Sequence, residues 1–148
     1  MTADPKDVDA RVRESFAKQS IMTTLGAGIA SVRPGEVEIV LPFSDRILQQ
    51  HGFIHAGAVA TIADSACGYA ALSVMPPDAA VLTTEFKINL LAPAKGERLR
   101  AIGRVVRSGR KLVITLGEVF AEEGGARKQV ALITATMMVV DTGNGLRD

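Results

Sequence analysis

Apolar and polar positions change their period several times along the chain, and each change marks an element. Val8, Val12 and Phe16, with Ser15, recur at helical spacing. Asp4 stands where an N-cap belongs, Pro5 at the first helical position and Asp7 at the third, so an N-terminal helix is expected within residues 1–22, fading before Gly26 and Gly28. Residues 27–33 lead into the turn Arg33-Pro34-Gly35-Glu36. Val37, Ile39 and Leu41 then alternate with Glu36, Glu38 and Val40, as in a half-buried strand that Pro42 ends. Residues 43–55 read as a loop. The stretch 56–75 is apolar nearly all round and Ala-rich, which predicts a buried helix stopped by Pro76-Pro77-Asp78. Strands are expected at 80–92, 98–106, 111–121 and 127–140. Turn signals at Pro93-Ala94-Lys95-Gly96, Arg107-Ser108-Gly109-Arg110 and Glu122-Glu123-Gly124-Gly125 separate them. The polar, Gly-rich tail 141–148 is expected to fray.

Helix, two strands, buried helix and four strands, joined by successive hairpins, make an α+β protein and not a doubly wound one. The economical packing sets the long apolar helix against a curved antiparallel sheet. One helix covers only part of such a sheet, and the remaining edges and faces invite dimerisation. At 148 residues the whole chain is expected to be one domain.

Composition removes several functions. With 47% hydrophobic residues and balanced charge, the chain is not disordered. A net charge of +1, five Phe, one Tyr and no Trp speak against nucleic-acid binding. The single cysteine, Cys67, excludes an intramolecular disulfide and a Cys-based zinc cluster, and fits a reducing compartment. Residues 1–20 carry no apolar signal region, so a cytoplasmic location is expected. The apolar stretch 56–77 is long enough to tempt a membrane assignment. Asp64 near its middle, beside Thr61 and Ser65, and the lack of flanking anchors argue against one.

Three features could carry chemistry. Gly57, Thr61, Asp64, Ser65 and Gly68 fall on one face of the predicted helix. A polar stripe ordinarily faces solvent, but these residues are small and admit a ligand or a partner helix. A carboxylate in apolar surroundings has its pKa raised, which suits a base or nucleophile. The helix start, His55-Ala56-Gly57, has no Ser, Thr, Asp or Asn cap immediately before it. Its first N–H groups can therefore hold an oxyanion, unless water or a loop carbonyl takes them. His51 and His55 share the preceding loop, without further ligands at metal spacing, so no metal is expected. His55 and Asp64 lie about 13 Å apart along a helix axis. Within one chain they cannot act on one small group, so a cooperating Asp must come from another subunit. Arg104, Arg107, Arg110 and Lys111 cluster at a hairpin, ordinarily a solvated turn but able to hold cofactor phosphates.

The segment QQHGFIHAGAVATIADSACGYAA from Gln49, with VLTTEFKINLLAPAKGERL downstream, resembles hotdog-fold thioesterases of the phenylacetic-acid-degradation (PaaI-like) type. The resemblance spans residues 20–140 in element order. It implies a hotdog fold and a homodimer, often a dimer of dimers (a homotetramer), with sites between subunits. It implies hydrolysis of acyl-CoA thioesters with no separate cofactor, coenzyme A being part of the substrate. Carried over by position, Asp64 is general base or nucleophile. The Ala56 N–H polarises the carbonyl, with His55 beside it. Gln49 orients the thioester or water, and Thr83 places the attacking water. Gly57, Thr61, Ser65, Arg107, Arg110 and Lys111 are then expected to contact substrate. Two departures stand out: Ala56 replaces the first Gly after the His, and Gln49 stands where Asn is frequent. The alternative is a non-catalytic acyl-CoA or acyl-ligand binding module of the same fold. A hotdog hydratase needs a different Asp–His motif.

Overall fold

The computed structural model describes residues 3–141, 143 and 145–148. Helix α1 (Pro5–Ala17) starts as its sequence predicts: Asp4 caps it, accepting from the Lys6 N–H at 2.9 Å. Val8, Val12 and Ser15 face inward. A second short helix, α2 (Ser20–Leu25), continues where fading was expected, and ends at Gly26, whose φ of +82° suits glycine. Strands β1 (Gly28–Arg33) and β2 (Glu36–Pro42) form the first hairpin. The loop after β2 holds a single 3-10 turn, Asp45–Ile47, and a Leu48–Ile54 bridge. Helix α3 (Ala56–Leu72) follows, ending three residues before the predicted limit. Strands β3 (Ala80–Leu90), β4 (Arg98–Ser108), β5 (Leu112–Glu123) and β6 (Ala126–Val140) complete an antiparallel sheet around it.

The strand order is β1-β2-β4-β5-β6-β3. Successive hairpins hold for β1–β2 and β4–β5–β6. The expected hairpin after 92 is instead a crossover: β3 pairs with β6 at the far edge, while β4 returns to the centre beside β2. The turn at Pro93 was legible, but not the strand to which the chain turns. This is the hotdog arrangement, α+β, with α3 as the wrapped helix.

Two glycines let α3 approach the sheet. Gly103 on β4 and Gly117 on β5 are register partners. A Cβ on Gly103 would fall 2.4 Å from the Ala66 backbone, and one on Gly117 would fall 2.8 Å from Cys67 Sγ. The pair forms a trough in which helix backbone meets sheet backbone. From α1, the Arg11 guanidinium donates to the carbonyls of Leu72, Met75, Pro76 and Ala79, at 2.6–3.2 Å. It ties down the last turn of α3 and the segment after it.

The sheet's outer face divides in two. Over β2, β4 and β5, Arg100 pairs with Glu38 and Glu122, and Arg104 with Glu36 and Glu118. Toward the other edge, Leu82, Met138 and Leu112 share an exposed row. Strand β3 is an edge strand with one free side, and Leu82, Phe86 and Leu90 along it are 45–53% exposed. An edge this long and apolar is a template for further pairing. Of the tail, residues 142 and 144 lie outside the described residues. Its last residue is docked, not frayed: the Asp148 carboxylate accepts from the Val81 N–H at 2.6 Å and from Ser15 Oγ at 3.3 Å. The free edge of β3 offers the N–H that holds it.

Candidate active site

The loop before α3 is folded by its own side chains. Gln49 Oε1 accepts from the backbone N–H of His51 and, at 3.4 Å, of Phe53. Ile54 N–H donates to Ala94 O at 2.8 Å, and His55 N–H to Ile47 O at 2.9 Å. These bonds aim the chain into the helix. The amide oxygen of Gln49 is thereby committed to the loop, and its NH₂ is the group left to meet a ligand. His51 is exposed on the same loop.

The helix start is capped, contrary to the expectation from its sequence. His55 Nδ1 accepts from the Gly57 N–H at 2.8 Å. Glycine leaves this contact uncrowded, since a Cβ at 57 would sit 3.0 Å from that nitrogen. With Nδ1 accepting, the neutral imidazole carries its proton on Nε2 and presents an N–H donor there. The Ala58 and Val59 N–H groups bond to His55 O. The Ala56 N–H, next to them, has no acceptor among the described residues and lies at the positive end of α3. It opens on a cavity of about 540 Å³, lined by Gln49, Phe53, His55, Ala56, Val59, Leu90, Pro93 and Val130 among others.

Asp64 lies two turns on, in a separate hollow of about 90 Å³ with Gln19, Ser65, Gly68, Tyr69, Val81, Thr83 and Asp148. Burial raises the Asp64 carboxyl above the ordinary aspartate value, and the Thr83 hydroxyl, donating to Oδ1 at 2.8 Å, partly offsets this. Ser65 Oγ donates to Gln19 Oε1 at 3.1 Å. Thr61 Oγ1 donates to Gly57 O at 2.7 Å, back-bonded within the helix. Gly68 adds open space, with nothing within 4 Å of where its Cβ would stand. Burial pushes the Cys67 thiol up to about 12, so it is an inert core group.

The structure thus sorts the predicted residues into two sets. Gln49, His55 and Ala56 line the cavity at the helix start, and Asp64, Ser65 and Thr83 line the hollow. Gly57 and Thr61 support the helix between them. No residue lines both spaces. Arg107, Arg110 and Lys111 are exposed at the β4–β5 hairpin. Val130 of the cavity, on β6 beside Val119 and Phe120 of β5, lies roughly 25 Å from that hairpin along the strands. Arg104 is engaged with Glu36 and Glu118. Gln19, Tyr69 and Asp148 were not singled out in the sequence. They reach the hollow from α2's approach, the helix and the tail, and no local pattern joins such distant positions. Among the described residues, no group of three His, Cys, Asp or Glu could hold a metal ion. None of the described helices is long and apolar enough to cross a membrane.

Residues 51–128 match the family model described as the thioesterase superfamily, a span covering the helix start, Asp64, Thr83, β3 to β5 and the first residues of β6. The chain belongs to the thioesterase superfamily. A thioesterase family protein from Silicibacter pomeroyi has a crystal structure superposing with a TM-score of 0.89. It is 48% identical, over 90% of this chain and 98% of that one. The PaaI protein of the E. coli phenylacetic acid degradation operon shares the fold, with a TM-score of 0.84 at 20% identity over 93% of this chain and 96% of that one. The 1,4-dihydroxy-2-naphthoyl-CoA hydrolase of Listeria monocytogenes is 26% identical over 90 residues, 61% of this chain and 73% of that protein. This thioesterase is accordingly a hydrolase built on the PaaI-like hotdog fold.

Proposed function

We propose that this thioesterase hydrolyses acyl-CoA thioesters at a site completed by two copies of the chain. The observation that carries the proposal is the placement of the two half-sites along the free edge of β3. The cavity with Ala56 and His55 lies at its Leu90 end, and the hollow with Asp64 at its Val81–Thr83 end. Antiparallel pairing of β3 with β3 of a second copy sets the Leu90 end of each strand beside the Thr83 end of the other. Each cavity then faces the Asp64 of the other copy.

In that arrangement the thioester carbonyl oxygen accepts from the Ala56 N–H, with His55 Nε2–H beside it. Asp64 of the second copy takes a proton from water as the water oxygen bonds to the carbonyl carbon. The carbonyl electron pair moves onto the oxygen held at the helix start. Collapse breaks the C–S bond, and the proton on Asp64 passes to the leaving sulfur. Thr83 steadies the carboxylate and the water. As a nucleophile, Asp64 would instead form a mixed anhydride that water opens. A dimer of dimers places the exposed row of Leu82, Met138 and Leu112 against a second dimer, and the reaction needs no further cofactor.

Replacing the base tests this. Asp64→Asn is expected to lower turnover by roughly 10²–10⁴-fold on the best substrate from a panel of short, medium, long and aromatic acyl-CoA. Near-normal turnover by that variant would remove the mechanism. A single turnover in ¹⁸O-water separates the two roles of Asp64, since only the nucleophile leaves label in its carboxylate. A protein inactive on the whole panel that still binds acyl-CoA is the ligand-binding module instead.

A further inference from the structure

The hollow beside Asp64 is bounded toward α1 by a residue of the tail. Asp148 is half-buried, while residues 145–147 before it are exposed. Two elements hold its carboxylate: the Val81 N–H donates to it at 2.6 Å from the free edge of β3, and Ser15 Oγ at 3.3 Å from α1. Asp148 lines the hollow of about 90 Å³ and also a cleft of about 510 Å³, where Arg11, Glu14, Pro77 and Ala79 stand around it. Its side chain is therefore part of the wall that divides the two spaces. We infer that Asp148 sets the size of acyl group this enzyme accepts and confines it to short chains, an inference that rests on the acyl-CoA reading above.

Volume carries the argument. In the proposed pair the carbonyl lies at the helix start of one copy, and the Asp64 hollow of the other copy faces it. The pantetheine arm has to run out to solvent, which leaves the hollow to the acyl end. At about 30 Å³ for a water-sized group, a space of about 90 Å³ holds about three non-hydrogen atoms beyond the carbonyl carbon, the size of a butyryl chain. Benzene binds in a cavity of about 150 Å³, so an aromatic ring does not fit. The surrounding walls do not yield to a larger group. Tyr69 is 3% exposed, with its hydroxyl 3.2 Å from Ser15 Oγ and its ring 6.0 Å from that of Phe16. Behind Asp148, the Arg11 guanidinium is fixed by four carbonyls. Each methylene that overfills such a space costs about 1–3 kcal/mol, or about 10-fold and upward in rate. Without the Asp148 side chain the hollow and the cleft join, and a ring or a longer chain can pass between them.

The test compares kcat/KM for butyryl-CoA, octanoyl-CoA and phenylacetyl-CoA. The wild type is expected to favour butyryl-CoA over each of the others by about tenfold or more. In Asp148→Ala the preference is expected to narrow by about tenfold, through gains on octanoyl-CoA and phenylacetyl-CoA. Asp148→Asn keeps the shape of the side chain and an oxygen for the Val81 N–H, so it is expected to keep the wild-type ranking. Equal or better use of octanoyl-CoA or phenylacetyl-CoA by the wild type would overturn the inference, and that measurement needs no variant to fold. So would an unchanged ranking in Asp148→Ala, or an Asn variant that behaves like the Ala one, since charge and not size would then be the cause. Hydrolysis of all three substrates alike sinks the size limit and leaves the acyl-CoA reading standing. Hydrolysis of none of them, by the wild type or by Asp148→Ala, removes the acyl-CoA reading and this inference with it.

Discussion

At Asp64 burial and a hydrogen bond pull in opposite directions, and burial dominates. A carboxyl whose folded pKa is raised favours the protonated form in the native state. Its contribution to stability is fully present below the unfolded value and is lost as pH rises through the folded one. At neutral pH the ionised Asp64 is therefore a cost to the fold. Asp64→Asn keeps the size and an acceptor for Thr83 but removes the charge. Its melting temperature at pH 7 is expected to exceed that of the wild type, with the gap closing as pH falls below the ordinary aspartate range. A lower melting temperature at pH 7 contradicts this account. In the proposed mechanism the same shift sets the acid limb: the base must be ionised, so kcat/KM is expected to fall with acid at a pH above the ordinary aspartate value. His55 illustrates a different economy, since one side chain closes the helix and, through that bond, fixes which nitrogen bears the proton.

At the level of elements, the trough of Gly103 and Gly117 decides how α3 sits. An added methyl at 103 meets helix backbone at 2.4 Å, which no side-chain rotation relieves. Gly103→Ala is expected to destabilise the protein by about 2–3 kcal/mol, measured by denaturant unfolding, and unchanged stability would mean that the helix can lift off the sheet. What the sequence made legible follows the same line between local and distant. The Asp4 cap, the β1–β2 turn and the strand alternation depend on neighbours, and the structure agrees to within a few residues. The Asp64–His55 separation was also readable, because both residues ride on one helix. Three features were not. The Gly103–Gly117 pairing spans two strands and has no spacing of its own. The partner of β3 is chosen by packing over α3, not by the turn at Pro93. The His55 cap depends on a hydrogen-bonded imidazole in a position that Ser, Thr, Asp or Asn ordinarily fills.

At the level of the whole molecule, the proposed pairing makes the long free edge of β3 the point on which both assembly and activity turn. A proline at Phe86 removes an N–H from the middle of the strand and stiffens it, while trimming one exposed apolar side chain. The lighter change Phe86→Lys keeps the backbone and places a charge at the proposed two-fold centre. Phe86→Lys is expected to shift the protein toward monomer in sedimentation and to lose hydrolysis in parallel. A folded monomer that keeps full activity would show that one chain suffices. Helix α3 then acquires a double duty. In the proposed pair it gives its first turn to one site and Asp64 to the other, as a ruler gives its two marks to two different measurements. Sliding along its axis would move both marks together and misalign two reactions at once. The glycine trough beneath it and the Arg11 clamp at its end deny it that freedom. They keep the two sites in step through rigidity, so that neither has to signal to the other.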